Sequence, residues 1–226
     1  MLSVITCTGG RPAAFALCEK FMARQTLRPD QWLVVDDVAE ATPITMGQTV
    51  IRPWPRWSGE STLGRNILAA LPMVTGSKIV FIEDDDYIPP DYLKHMSTML
   101  NAYPLAGEAP ARYYNVATRQ YRQLRNTAHA SLGQTGIQRS LLPTLAAICE
   151  RERKFIDIPL WRHHGSIGWL TVSTVVGVKG LPGRPGIGIG HRPAGHWPVD
   201  GDGSVLRSWI GEDAALYESF AEKAAA

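Results

Sequence analysis

The chain is poor in several features that would place a protein in a class at once. It has 3 cysteines in 226 residues, Cys7, Cys18 and Cys149, odd in number and widely spaced. They form neither a disulfide framework nor a C-x-x-C zinc pair, so a reduced, cytoplasmic setting is expected. No apolar run approaches the roughly 18 residues a membrane helix needs, which argues against a membrane-spanning protein. The opening "MLSVITCTGGRP" lacks the basic region of a secretory signal and reads as a first strand. Internal repeats are absent, and the one biased tract is a short Ala-rich C-terminus expected to fray. Net charge is only +2, and that balance alone implies no partner.

What is present suits a single α/β domain over 1–226. Hydrophobic residues make up 45% of the chain, enough to build a core at this length. The charge is unevenly spread. Between Ala111 and Lys154 stand eight basic residues, Arg112, Arg119, Arg122, Arg125, Arg139, Arg151, Arg153 and Lys154, against Glu150 and Glu152. That stretch nets +6 and leaves −4 for the remainder, a pattern that suits an anionic partner or a solvated face.

Hydrophobic patterning predicts alternating strands and helices in the first half. "LSVITCT" is β-branched and apolar, and "GGRP" breaks it. "AAFALCEKFMARQ" carries Phe15, Cys18, Phe21 and Met22 at helical spacing. "DQWLVVDD" reads as a second strand, "STLGRNILAALPMV" as a helix and "SKIVFIEDDD" as a strand. "DYLKHMSTML" reads as a helix entered through Pro89 and Pro90. Such alternation implies βα units and a largely parallel sheet. Beyond residue 105, "ARYYNVATRQYRQL" suggests a pair of strands, "SLLPTLAAICERERK" a helix and "LTVSTVVGVKG" a strand. The Gly/Pro-rich stretch 180–203 must be loop, and its length points to a functional or mobile one. "SVLRSWIGEDAALYESFAEK" closes as a helix.

The run "KIVFIEDDDYIPPDYL" poses a physical question. Glu83, Asp84, Asp85 and Asp86 crowd the end of an apolar strand, where like charges about 4 Å apart repel by roughly 4 kcal/mol near a protein surface. Water in an exposed turn or a cation must relieve that cost. Asp36 and Asp37 end another strand in the same half. Ligands of open parallel sheets bind at the carboxyl ends of strands, where the topology reverses, so both acid groups are expected to line one crevice. Strand alternation would set Glu83 with Asp85 on one face and Asp84 with Asp86 on the other.

The ordered set "SVITCTGGRP", "WLVVDD", "GRN" and "IVFIEDDD", over roughly residues 2–95, resembles the nucleotide-sugar half of family 2 glycosyltransferases of the GT-A fold. The resemblance implies a GT-A type, Rossmann-like α/β fold with a mostly parallel sheet flanked by helices. Residues of about 1–105 would bind the nucleotide sugar and 106–226 the acceptor. It implies Thr8, Arg11, Asp36, Asp37, Arg65, Asn66 and Asp84 as donor contacts, with Asp36 or Asp37 on the base or ribose. It further implies Mn²⁺ or Mg²⁺ on a D-x-D-type motif, with Asp85 as principal ligand and Asp86 or Glu83 assisting. Such an ion neutralises the diphosphate leaving group as a Lewis acid. The motif departs from the usual pattern, with Glu83 in its first position and Asp84/Asp86 as an alternative frame.

The second half of such enzymes supplies a base that deprotonates the acceptor hydroxyl. Asp157, in "RKFIDIPLWRHH", stands about where the family carries this acid, although the usual Glu-Asp pair is missing. A helix cap or an arginine partner is its alternative role. His191, in the Gly-rich loop, is expected as a third metal ligand or a phosphate contact, with His163, His164 and His196 weaker. Cys7 reads as core, and the seven tryptophans as core or acceptor platform. The donor expected is a UDP-sugar. Small, phage-type members of the family glycosylate modified DNA bases, and Arg112, Arg119 and Arg122 would face such a polyanionic acceptor. No membrane partner is expected. The competing readings are a Mg²⁺-dependent nucleotidyltransferase, for which "TGGRP" is a faint loop signature, and a non-catalytic nucleic-acid or glycan-binding module.

Overall fold

A computed structural model describes residues 1–55, 61–152, 154–164, 167–193 and 195–223. Arg153, Trp57 and the terminal alanines 224–226, which figured in the sequence expectations, lie outside the described residues. The first half runs β1 (Leu2–Thr8), α1 (Pro12–Ala23), β2 (Gln31–Asp36), β3 (Thr49–Ile51), α2 (Leu63–Ala70), β4 (Lys78–Phe81) and α3 (Tyr92–Ala102). Then follow β5 (Leu105–Glu108), β6 (Arg112–Asn115), β7 (Tyr121–Gln123), β8 (Thr135–Gln138), α4 (Leu142–Arg151) and α5 (Asp157–His164). The chain continues through β9 (Gly168–Thr171), β10 (Val176–Lys179), α6 (Ser204–Ile210) and α7 (Glu218–Lys223).

The main sheet has seven strands in the order β3-β2-β1-β4-β8-β5-β9. Strands β1, β2, β3 and β4 are mutually parallel, and β8 alone runs against its neighbours β4 and β5. The result is the expected α/β fold with a mixed, mostly parallel sheet flanked by helices, consistent with a Rossmann-like GT-A fold. From β1 the chain moves outward to β2 and β3, then returns to place β4 on the other side of β1. The order therefore reverses between β1 and β4, which makes their carboxyl ends the switch point of the sheet. A second sheet, β10-β6-β7, joins the first through a bridge between Tyr87 and Val176.

Alternation along the strands divides the core in two. Val4, Val34 and Val80 pack with Phe15, Phe21 and Met22 of α1 and with Leu93 and Met96 of α3. Ile5, Leu33, Val35, Ile79 and Phe81 point the other way, toward Ile67 of α2, Leu145 and Ile148 of α4 and Leu160 of α5. Each fully buried side chain of this kind stabilises by about 1.5–3 kcal/mol relative to exposure. Helix α1 starts at Pro12, whose fixed φ suits the first helical position and whose missing N–H would have had no partner there. Its buried residues include Phe15, Cys18, Phe21 and Met22.

Two local expectations change, and three short strands enter that the patterning did not mark. β3, β5 and β8 are short, and Gly107 and Gly136 dilute the apolar signal of the last two. The stretch 170–180 is two strands in different sheets. Between them Thr174 and Val175 donate main-chain hydrogen bonds to the buried Glu108. The final helix is interrupted at Gly211, where φ is +63°, and a 3-10 segment (Gly211–Tyr217) separates α6 from α7. Asp91 stands at the start of α3 without a side-chain cap hydrogen bond and accepts one from Thr26 Oγ1 at 2.6 Å. Among the described residues, no helix is long and apolar enough to cross a membrane.

Candidate active site

Strand β4 ends at Phe81, and two main-chain contacts hold the acid turn that follows. Ile82 N donates to Ile5 O at 3.1 Å, and Tyr87 exchanges hydrogen bonds with Val176. Between these anchors the chain turns, so the expected strand alternation fails. Glu83, Asp85 and Asp86 converge on one point, the Nζ of Lys179, at 3.1, 2.8 and 2.8 Å. Asp84 turns the other way. Its Oδ2 accepts from Thr8 Oγ1 at 2.6 Å, and its Oδ1 lies 2.6 Å from Arg11 Nη2. Arg11 also reaches Asp85 Oδ2 at 2.9 Å, and His191 Nε2 is 3.2 Å from that same oxygen. Asp84, Asp85 and Asp86 are buried, and Glu83 is half-buried.

The exposed-turn answer to the acid crowding is therefore excluded. Arg11 and Lys179 relieve part of the repulsion. Burial pushes the Asp85 carboxyl upward, but Lys179, Arg11 and His191 outweigh it and hold the group well below the usual range. Burial raises Asp84 to about 6, partly offset by Arg11 and reinforced by Asp85. Asp86 is driven well above its ordinary value by burial, and Lys179 only partly offsets this against the push from Glu83 and Asp85. Four carboxylates against two permanent cations leave a formal charge of −2. One oxygen from each of Glu83, Asp85 and Asp86 lies within 4.8 Å of the others. Hard oxygen donors with unneutralised charge suit a divalent cation, and this cluster is able to hold one.

The other wall of the crevice comes from the end of β2. Asp36 accepts from Arg52 Nη1 and from Thr42 N, both at 2.9 Å, while its Oδ1 is buried without a hydrogen-bond partner among the described residues. Asp37 accepts from Asn66 Nδ2 at 2.8 Å and from Thr62 Oγ1, and its Oδ1 lies 2.9 Å from Arg184 Nη2. Asn66 and the half-buried Arg65 are carried on α2.

The Gly/Pro-rich loop folds over this crevice. Arg184 N donates to Gly10 O at 2.8 Å. At Gly183 φ is +115°, and a Cβ there would fall 2.3 Å from Gly10 O. At Gly9 φ is +152°, and a Cβ would fall 2.4 Å from Asp37 Oδ1. Only glycine permits both backbone conformations at such close approach. Within the loop, His191 is not one of the three residues whose oxygens converge, but it touches Asp85.

Asp157 is the first residue of α5, where it meets the N–H groups of its own first turn. Burial raises its carboxyl to about 6, its own turn opposes this, and Glu83 adds to the rise. It therefore lies within electrostatic reach of the acid cluster. His163 and His196 are exposed and His164 is half-buried; no ion pair of these three is found among the described residues. The thiols of Cys7 and Cys18 are pushed upward, chiefly by burial, which suits core roles. Trp32, Trp161 and Trp197 are buried, whereas Trp54 and Trp169 are exposed.

The +6 stretch does not make one patch. Arg139 donates to Val74 O and Gly76 O, just ahead of β4 and opposite the acid turn. Arg151 pairs with its neighbour Glu152 at 3.3 Å. Arg112, Arg119 and Arg122 gather around the small sheet. Arg112 donates to Ser173 O at 2.6 Å and lies 5.6 Å from the Trp209 ring centre. Arg119 donates to Gly201 O at 3.0 Å, and Arg122 lies 5.6 Å from the Trp197 ring centre.

Sequence reasoning missed Lys179, Arg52 and Arg184. A signal existed for the first: Lys179 is the single charge in the otherwise uncharged "LTVSTVVGVKG", and a strand residue of that kind, once buried, needs carboxylate partners.

No protein-family model matches the chain, and no curated protein matches it. Solved structures do. S. aureus TarS matches with a TM-score of 0.58 at 16% identity, over 78% of this chain and 36% of that one. TarS 1-349 in complex with UDP matches with a TM-score of 0.59 at 14% identity, over 78% and 60%. TarS 1-349 in complex with UDP-GlcNAc matches with a TM-score of 0.56 at 13% identity, over 82% and 59%. The chain thus spans between 36% and 60% of these structures' lengths. What it shares with them is a fold; in this chain an acidic cluster able to hold a divalent cation stands at the switch point of that fold.

Proposed function

We propose that this protein is a divalent-cation-dependent glycosyltransferase that moves a sugar from a UDP-sugar to an acceptor hydroxyl. The observation that carries the reading is the convergence of Glu83, Asp85 and Asp86 at the switch point between β1 and β4. The likeness in fold to structures solved with UDP and UDP-GlcNAc supports a nucleotide-sugar donor.

Asp85, with Asp86 and Glu83, holds Mn²⁺ or Mg²⁺, and His191 sits against the principal ligand. The ion supplies Lewis acidity toward the diphosphate leaving group. Asp36, whose Oδ1 is buried without a hydrogen-bond partner among the described residues, and Asp37 receive the base or ribose, with Asn66 and Arg65 behind them. Thr8 and Arg11 fix Asp84 and line the floor. Asp157 takes the acceptor proton as the acceptor oxygen bonds to the sugar carbon and the bond to the diphosphate breaks. A carboxyl raised to about 6 is ionised near neutrality yet basic enough for that transfer.

The acceptor is polyanionic, and DNA carrying hydroxymethylated bases fits best. Supporting this, Arg119 and Arg122 are exposed beside the small sheet that also carries Lys179. Calorimetry with UDP, with and without Mn²⁺, tests the donor assignment. Manganese-dependent heat is expected. Silence with UDP would sink the reading, and a preference for a nucleoside triphosphate would move the protein to the nucleotidyltransferases.

A further inference from the structure

The cation that closes the acid cluster belongs to the chain itself. The Lys179 ammonium touches Glu83, Asp85 and Asp86, the same three residues whose oxygens converge as a metal-binding group. Its side chain is 1% exposed. We infer that Lys179 is a resident counter-ion that excludes a divalent cation from the cluster until its ammonium withdraws, so that metal entry is an exchange of one cation for another. The inference rests on the metal reading of this site and concerns how the site is regulated.

Three observations carry it. The first is shared occupancy: a +1 and a +2 ion cannot both sit at contact distance from the same three carboxylates without strong mutual repulsion. The second is charge. With Lys179 and Arg11 in place the four acids keep a formal −2, so the ammonium caps the cluster without satisfying it, and a divalent ion is the better match. The third is the mounting. The Lys179 backbone is fixed in β10, in register with Asn115 of β6, and its O accepts from Val116 N at 2.8 Å. The flexible four-carbon stem can move while its strand stays. Arg11 does not compete in this way, because its contacts fall on Asp84 and on the other oxygen of Asp85.

The test is Mn²⁺ affinity without nucleotide, measured on wild type, Lys179→Met and Arg184→Met. The last removes an equal charge from the Asp37 side of the crevice and so measures the general electrostatic effect. Lys179→Met is expected to bind Mn²⁺ at least about tenfold more tightly than Arg184→Met, and its melting temperature should respond more strongly to Mn²⁺. Equal affinities in the two variants would overturn the exchange. Removing a buried cation can prevent folding, so a measurement on unmodified protein stands beside it. The protected Lys179 ammonium should give a slowly exchanging ¹⁵N signal that shifts or broadens away on saturation with Mg²⁺. An unmoved signal at saturation would overturn the exchange as well. Because no nucleotide is present, the outcome is separate from the donor assignment. Manganese-dependent UDP heat with no gain in Lys179→Met would leave the glycosyltransferase reading standing and remove the exchange alone.

Discussion

Thr8 and Asp84 are 76 positions apart, yet Thr8 Oγ1 donates to Asp84 Oδ2 at 2.6 Å. The bond ties the carboxyl end of β1 to the turn after β4, across the point where strand order reverses. Removing the hydroxyl leaves a buried carboxylate with one partner fewer. Thr8→Val should cost about 1–3 kcal/mol of stability, which chemical denaturation will measure. Thr8→Ser should recover most of it.

Asp85 pairs with the buried Lys179 and the half-buried Arg11 as well as keeping its place in the cluster. Asp85→Ala should abolish manganese-dependent UDP binding, read by calorimetry. It should also destabilise the fold by roughly 3–5 kcal/mol, the cost of breaking buried ion pairs from one side. Wild-type turnover persisting with excess EDTA would count against the metal assignment.

Asp157 yields a prediction with two independent readouts. Asp157→Asn should lower turnover at least about 100-fold with UDP affinity nearly unchanged. Wild-type activity should fall as pH drops through about 6, where the base takes up its proton. The stability sign is opposite to that of a paired aspartate. A folded-state carboxyl raised from 3.8 to about 6 favours the folded protein below pH 3.8, and that contribution is lost as pH rises through 6. Asp157→Asn should therefore raise the melting temperature at pH 7 and leave it nearly unchanged at pH 4. Collapse of UDP binding in this variant would make Asp157 a donor contact.

Gly183→Ala tests the loop. Its methyl group would meet Gly10 O and, at φ +115°, force an unfavourable backbone. The expected result is faster proteolysis within residues 181–193 and weaker UDP binding. Wild-type resistance to protease would mean that the loop does not depend on this close approach.

Acceptor contacts should reveal themselves through salt. DNA binding should weaken steeply between low and physiological salt, with a log–log slope near −0.9 for each duplex phosphate neutralised. Arg119→Ala with Arg122→Ala should flatten that slope. An unchanged slope would return both arginines to the solvated face.

Local signals made the first half of the fold legible. β1, α1, β2, α2, β4 and α3 each announce themselves through apolar period and punctuation. β8 and β5 do not, because strands of four residues containing Gly136 or Gly107 are stabilised by neighbours distant in sequence. The acid cluster was legible as composition, but its geometry was not. Extending the strand period past Phe81 put the carboxylates on two faces, whereas the Tyr87–Val176 bridge bends them into a turn. The lone charge of Lys179 in its strand was a local sign that it needed a carboxylate, but which one was not legible, because Asp85 lies 94 residues away. The +6 stretch was legible as charge, yet the fold scatters it. Arg139 braces the segment just ahead of β4, at the opposite end of that strand from the acid turn.

The bridge at Tyr87 has a mechanical consequence. It clamps the far side of the acid turn to the strand that carries Lys179: Val176 pairs with Tyr87 immediately after the turn, and β10 runs from there to Lys179. Carboxylates and ammonium are thus mounted on one hydrogen-bonded frame, and the same pair of main-chain bonds sets the spacing of both.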